Sequence, residues 1–176
     1  LTNRELLYAE RKLASFLYST GKILPVAVSR SVQSSFEKTY HIPNINVIYN
    51  RVTCDNICTK SKAYYRQRLS LPHDATIITT VERLAPAKNQ SMLIDAFNTI
   101  LQKEENCLLI IVGDGPLRNT LKQKTNDLQL TDKVLFPGKI INPESYLRAA
   151  DIFALSSNLE GLPISLLESM RESLPI

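Results

Sequence analysis

The sequence predicts an α/β fold: a parallel sheet with helices on both faces, preceded by a short α/β segment. Three observations carry this prediction. "TIITTV" at 76–81 and "CLLIIV" at 107–112 are near-continuous apolar or β-branched runs, the pattern of strands buried on both faces. Stretches of helix length, with apolar residues at three- and four-residue spacing, separate such runs. The chain has 176 residues, 44% of them hydrophobic and 22% charged, enough for one well-buried domain and an additional segment.

The elements follow in order. Leu6, Leu7, Leu13, Ala14 and Leu17 recur on one face of a first helix, which Gly21 is suited to stop. "ILPVAV" (23–28) predicts a short strand, and Ser29–Tyr40 a helix with Val32, Phe36 and Tyr40 on one stripe. "INVIYN" alternates Ile45, Val47 and Tyr49, which is strand periodicity. Regularity fades from Asn50 to His73, apart from a short helix near Ala63–Leu69.

After the strand at 76–81, a helix presents Met92, Leu93, Ala96, Phe97, Ile100 and Leu101. After the strand at 107–112, Pro116 opens a helix carrying Leu117, Leu121 and Leu128. "KVLF" (133–136) predicts the next strand, and Asn142 caps a short helix with Pro143 at its first position. "DIFAL" (151–155) is a further strand, a helix runs from Pro163 to about Glu172, and the final "LPI" begins a fifth strand. The implied organisation is a first region at 1–50, a linker at 51–73 and a sheet domain at 74–176 that stops short of its end. The first residue is Leu1, which suggests a piece of a longer protein.

The net charge of +4 is uneven. Residues 1–70 carry 11 lysines and arginines against 4 acids, while residues 71–176 carry 10 against 13. Scattered basic residues of this kind fit a solvated surface. Contact with anionic lipid headgroups or nucleic acid is the alternative, and nucleic acid lacks the interleaved aromatics it would need. No apolar run has the length of a membrane span and no signal peptide stands at the N-terminus, so the expected location is cytoplasmic, with peripheral contact at the inner face of the membrane left open. Cys54, Cys58 and Cys107 form no metal-ligand pattern and read as reduced thiols.

Ligands of open α/β sheets bind beyond the carboxyl ends of the strands. Beyond the first strand of the sheet domain lie Glu82-Arg83-Leu84 and, five positions past the arginine, Lys88. Beyond the next lies Gly113-Asp114-Gly115-Pro116, then Pro137-Gly138-Lys139-Ile140, then "NLEGLPISLLE" with Glu160 and Glu168. Two cations, two glycine-bearing turns and two acids converging on one rim suit an anionic ligand that also presents hydroxyls. Each feature alone has a plainer reading. Arg83 and Lys88 could be a solvated pair, or a fork and a point charge on a diphosphate. The glycines could simply make a tight turn, because the dinucleotide-binding Gly-x-Gly-x-x-Gly is incomplete at Arg118. No Gly-Lys-Ser/Thr supports an ATPase, and no Asp-x-Asp is present to hold a metal on a diphosphate. Glu160 sits where a helix dipole favours an acid, and Glu168 could be a surface residue or could accept both hydroxyls of a ribose.

Four stretches in order resemble one family. "VERLAPAKNQSMLIDAF", "IVGDGPLRNTL", "VLFPGKI" and "ADIFALSSNLEGLPISLLESM" are similar to motifs of the retaining "glycosyl transferases, group 1", including the Glu-x7-Glu from Glu160 to Glu168. "NVIYN" resembles the strand that closes that family's N-terminal domain. The resemblance covers 45–176, and 1–44 less securely. It implies the Rossmann-like C-terminal domain of the two-domain GT-B architecture, incomplete here, with residues 1–50 a remnant of the acceptor domain. It further implies a fragment with little or no activity alone, from a parent that moves a sugar from a UDP- or GDP-sugar to a glycan or lipid-linked acceptor of surface polysaccharide. No cofactor or metal is implied beyond the nucleotide-sugar donor.

The resemblance also assigns roles. Arg83 and Lys88 would neutralise the departing diphosphate, and Glu160 would bond the donor sugar near the amides of Gly161 and Leu162. Glu168 would hold the ribose, and the backbone near Ile140 would meet the base. Three positions depart from the pattern: Glu82, Ser173 and Arg51 each stand where glycine is frequent. Glu82 would repel the donor unless it pairs with Arg83 or turns away. It therefore supports the rival reading of a non-catalytic nucleotide-sugar-binding or interaction module.

Overall fold

The computed structural model describes residues 3–53 and 60–176. Cys54 and Cys58 lie outside the described residues, as do the side chains of Leu6 and Leu7. The chain folds as two compact units, Leu1–Arg51 and Val52–Ile176.

The first unit contains α1 (Asn3–Ser19), β1 (Val26–Ala27), α2 (Arg30–Tyr40) and β2 (Asn46–Val47). Thr20 and Gly21 close α1, with Gly21 at φ +69°. The Ser29 hydroxyl caps α2 by accepting from the Val32 amide at 3.2 Å, and His41 ends the helix in the left-handed region. The two strands pair in parallel over two positions only, so "ILPVAV" and "INVIYN" form shorter strands than their alternation predicts. Tyr18, Phe36 and Tyr40 pack ring against ring, but Leu13 of the expected α1 stripe is 60% exposed.

The second unit is a four-stranded parallel sheet with helices on both faces. Its elements are α3 (Lys62–Arg68), β3 (Thr76–Val81), a single 3₁₀ turn at Pro86–Lys88, α4 (Gln90–Leu101), β4 (Cys107–Val112), α5 (Arg118–Asp127), β5 (Val134–Gly138), α6 (Glu144–Ala149), β6 (Ile152–Phe153) and α7 (Ile164–Arg171). The spatial order is β5-β4-β3-β6. Successive residues of each strand point to opposite faces. Ile78, Leu109 and Ile111 therefore join Ile94, Phe97 and Leu121 in one core layer, and Ile77, Leu108, Ile110 and Val112 join Tyr65, Ala149 and Ala150 in the other.

α3 lies within the stretch expected as a linker, and it belongs to this unit. Arg66 is buried, donating to the carbonyls of Ala149 (3.0 Å), His73 (2.6 Å) and Ala75 (3.1 Å) and to Asp151 Oδ2 (2.5 Å). Several local expectations need correction. α4 buries Gln90, Ile94 and Phe97, whereas Met92 and Ile100 face outward. Pro116 sits in a turn and α5 begins at Arg118. Pro143, not Asn142, occupies the cap position of α6, and no side chain caps that helix. β6 is two residues long, and "LPI" forms no strand of its own, although the Phe153 amide donates to the Pro175 carbonyl at 2.9 Å.

Candidate functional site

From β3 the chain steps outward to β4 and β5, then returns to the other side of β3 with β6. The reversal makes the carboxyl ends of β3 and β6 a topological switch point, where open α/β sheets leave a crevice. The loop after β3 carries Glu82, Arg83 and Lys88, and the loop after β6 carries Ser156, Ser157 and Glu160. The two loops are laced together. Ser156 Oγ donates to the Lys88 carbonyl at 2.8 Å, and the Asn158 amide donates to the Ala87 carbonyl at 2.9 Å.

Lys88 stands at the centre of this lacing. Its Nζ donates to Glu160 Oε1 and lies 3.3 Å from Glu82 Oε1. One ammonium thus bridges two carboxylates from loops that are more than seventy residues apart in sequence. Burial disfavours the charge of Lys88, but the hydrogen bond to Glu160 and the charge of Glu82 outweigh it and raise the Lys88 pKa. Burial likewise opposes ionisation of Glu160, yet hydrogen bonds from Lys88 and Ser157 hold that carboxyl below the usual range.

Glu82 turns inward. Its side chain is 1% exposed, its Oε1 accepts from Ser157 Oγ at 2.7 Å, and its Oε2 is buried with no hydrogen-bond partner among the described residues. Burial pushes its pKa up, against the opposing effects of Ser157 and Lys88. The carboxylate expected to repel an anion is therefore held inward, and its partners are Lys88 and Ser157 instead of Arg83.

Beside this cluster, a cavity of about 390 Å³ opens over the ends of β3, β4 and β5, lined by Arg83, Gly113, Asp114, Lys139 and Ile140 among others. Its floor depends on two glycines. A Cβ on Gly113, whose φ is +140°, would lie 1.9 Å from the Glu82 carbonyl oxygen, and one on Gly115 would lie 2.4 Å from that of Leu84. The turn can press onto the loop after β3 only without side chains at 113 and 115. The Leu84 amide donates to the Asp114 carbonyl at 3.0 Å, completing the contact.

Of the residues singled out by sequence, Lys88 and Glu160 are in direct contact, and Arg83 and Ile140 share the cavity wall. Gly161 is exposed and Leu162 half-buried, in the loop that leads into α7. Pro163 is extended at the cap position of α7 and not in its first turn. Glu168 lies on α7, half-buried, and among the described residues no hydrogen bond or ion pair joins it to the Lys88 cluster. No side chain donates to its carboxylate among the described residues; burial raises its pKa, Arg171 opposes the rise and Glu144 adds to it.

Three positioning residues escaped sequence analysis. Gln90 is fully buried and donates to the Arg83 carbonyl at 3.0 Å, fixing the backbone beneath that cation. Ser157 joins Glu82 to the loop of Glu160. Arg118 donates to the Phe136 carbonyl at 3.0 Å and packs against Gly138, tying the turn after β4 to β5. Gln90 and Ser157 carry no local signature, whereas Arg118 was visible only as a missing glycine.

A model of the family "Glycosyl transferases group 1" matches residues 61–176, which is most of the chain and contains every residue of this site. The chain belongs to that family. An uncharacterised glycosyltransferase of Methanocaldococcus jannaschii is 32% identical over 168 residues, covering 92% of this chain and 40% of its own length. The alpha-monoglucosyldiacylglycerol synthase of Streptococcus pneumoniae is 31% identical over 113 residues, 63% of this chain and 26% of its own. Among solved structures, Anabaena HepE in complex with UDP and glucose superposes with a TM-score of 0.82 at 24% identity, covering 95% of this chain and 47% of its own. That likeness establishes the GT-B fold and nothing finer. The chain spans less than half the length of the relatives and the structure it matches.

Among the described residues, no group of three or more His, Cys, Asp and Glu side chains could hold a metal ion, and no helix is long and apolar enough to cross a membrane. Cys107 is a buried free thiol.

Proposed function

We propose that the chain is the donor-binding part, with little or no activity alone, of a glycosyltransferase that moves a sugar, with retention and without a metal, from a UDP- or GDP-sugar to a glycan or lipid-linked acceptor in surface polysaccharide synthesis. The observation that carries this reading is the meeting of Lys88 and Glu160 at the switch point, beside a cavity bounded by Arg83 and Ile140. Family membership and the UDP seen in the HepE structure support it.

The chemistry follows from where charge develops. Breaking the bond between sugar and diphosphate leaves positive character on the sugar and negative charge on the leaving group. Arg83 offers a planar fork and Lys88 a point charge to that diphosphate, without a metal. Donor entry exchanges the Lys88–Glu160 bond for two others: the ammonium turns to phosphate, and the freed carboxylate accepts from a sugar hydroxyl. The amides of Gly161 and Leu162, in the loop before α7, face the same sugar and phosphate. Glu168, a half-buried carboxylate to which no side chain donates among the described residues, is suited to take the two ribose hydroxyls. The base lies against the backbone at Ile140. The basic residues at 1–70 add a peripheral contact with anionic lipid on the cytoplasmic face, where a lipid-linked acceptor would be met.

Thermal melting with UDP, GDP, ADP and their sugars tests the proposal. A ligand at a hundred times its Kd stabilises the fold by about 2.7 kcal/mol. Stabilisation by UDP or GDP compounds, lost in Glu168→Ala, is the expected result. No shift with any nucleotide would reject the donor site and favour an interaction module.

A further inference from the structure

Glu82 is a buried acid inside a site that must receive an anion, and the donor-transfer reading gives it no role. The charged groups around it are few. Lys88 faces it from its own loop and Glu160 from the loop after β6; Arg83 follows it in the chain, and Asp114 and Lys139 share its cavity. With Glu82 and Glu160 both ionised, the single ammonium of Lys88 faces two carboxylates. It then has no net positive charge to offer a diphosphate.

Neutralising one carboxyl would change that, and the geometry selects which. Glu160 is held ionised by Lys88 and Ser157, and it lies partly open to solvent. Glu82 is enclosed, with one oxygen lacking a hydrogen-bond partner among the described residues and the other facing Ser157 Oγ. A proton on Oε1 could be donated to Ser157 Oγ, leaving the serine hydrogen free to point at Glu160. The carboxyl group needs no movement to accept it.

We propose that Glu82 is a positioning residue that takes up a proton from solvent when the diphosphate of a donor binds, releasing the full charge of Lys88 to the ligand. The proposal rests on the donor-site reading above. Bringing a polyanion to within a few ångströms of Lys88 disfavours a second negative charge beside it, and burial already tilts Glu82 the same way. By linkage, whatever raises the proton affinity of Glu82 on binding must make binding tighter at lower pH.

Calorimetric titration with UDP-glucose and GDP-mannose tests this, because their diphosphates do not titrate near neutrality. Repeating it in buffers of different ionisation heat counts the protons taken up. Wild type should take up a fraction of a proton, and its Kd should rise about tenfold from about pH 6 to about pH 8. Glu82→Gln should bind with no proton uptake, independently of pH, and as tightly at the higher pH as wild type does at the lower. Glu82→Gly, the residue frequent in the family, should behave alike and guards against a fold defect peculiar to the glutamine. Binding by wild type without proton uptake overturns the proposal, as does pH dependence that persists in both variants. Failure of wild type to bind either sugar nucleotide at either pH would instead reject the donor-site reading.

Discussion

Replacing Lys88 with alanine isolates the central interaction of the cluster. The ammonium lies 3.3 Å from Glu82 Oε1, so at an effective dielectric constant near 20 the gross attraction is about 5 kcal/mol. Two effects reduce the net loss. A quarter of the Lys88 side chain is exposed to solvent, and Glu82 can escape the loss of its cation by taking a proton while keeping its contact with Ser157. A net destabilisation of about 1–3 kcal/mol is expected near neutral pH, the range for a buried polar group that loses one partner. The loss must also depend on pH. A carboxyl whose folded pKa is raised binds its proton more tightly when folded, so stability falls as pH rises from the ordinary carboxylate range through the raised folded value. Lys88→Ala should therefore be closest to wild type in mild acid and furthest from it above neutrality. Urea denaturation of wild type, Lys88→Ala, Glu82→Gln and the double variant, at about pH 5 and about pH 8, forms the cycle. The double variant should recover most of the stability lost in Lys88→Ala. A Lys88→Ala loss that is equal at both pH values and not rescued by Glu82→Gln would refute the coupling.

Other sites give independent tests. Gly113→Ala places a methyl group 1.9 Å from the Glu82 carbonyl oxygen at a φ of +140°, so it should cost more than about 3 kcal/mol in a denaturation measurement and abolish nucleotide-dependent stabilisation. Arg66→Ala takes the side-chain donor from three carbonyls and leaves Asp151 with Lys62 and the Ile77 amide, and should cost about 3 kcal/mol by the same measurement. Burial disfavours ionised Asp151, but the Ile77 amide, Lys62 and Arg66 together lower its pKa; its stabilisation is present above the unfolded value, is lost as pH falls through the folded one, and should vanish from the acid limb of Asp151→Asn. Ser173 sits at φ +59°, where a side chain costs about 1–2 kcal/mol, so Ser173→Gly should raise stability by up to about 1 kcal/mol after the added chain entropy.

How much was legible in the sequence depended on burial. β3 and β4 read at their observed boundaries because a strand covered on both faces leaves an unbroken apolar run with polar ends. β6 lies beside β3 and pairs at Ile78–Ile152 and Thr79–Phe153 only, so "DIFAL" promised more strand than a short edge provides. The face of α4 was misassigned because apolar residues occur all round it: Met92, Leu93, Ile94, Ala96 and Phe97 fit more than one stripe, and Gln90, its most enclosed polar residue, looks like surface in a sequence. The site shows the same division. The cations, glycines and acids stood out because each followed a strand. The partnership of Glu82 with Ser157 joins loops 75 positions apart, and no local pattern encodes it. Ser173 was seen as a departure from glycine, and its left-handed backbone is the physical reason glycine is suited there.

The two ends of one strand pair divide the labour. At the amino end of β6, Asp151 accepts from the Ile77 amide at 2.8 Å and is gripped by Arg66 and Lys62, while its own amide donates to the Ile77 carbonyl. At the carboxyl end, the Ala154 amide donates to the Thr79 carbonyl, and the loops diverge to meet again at Lys88 and Glu160. A slip of one residue between β3 and β6 would send every side chain to the opposite face. With only two paired positions, the strands themselves resist such a slip weakly. The Arg66–Asp151 clasp fixes the register instead, and through it the approach of Ser157 and Glu160 to Glu82 and Lys88. The Arg66–Asp151 pair at one end of the strand pair thus sets the geometry of the Lys88–Glu160 pair at the other.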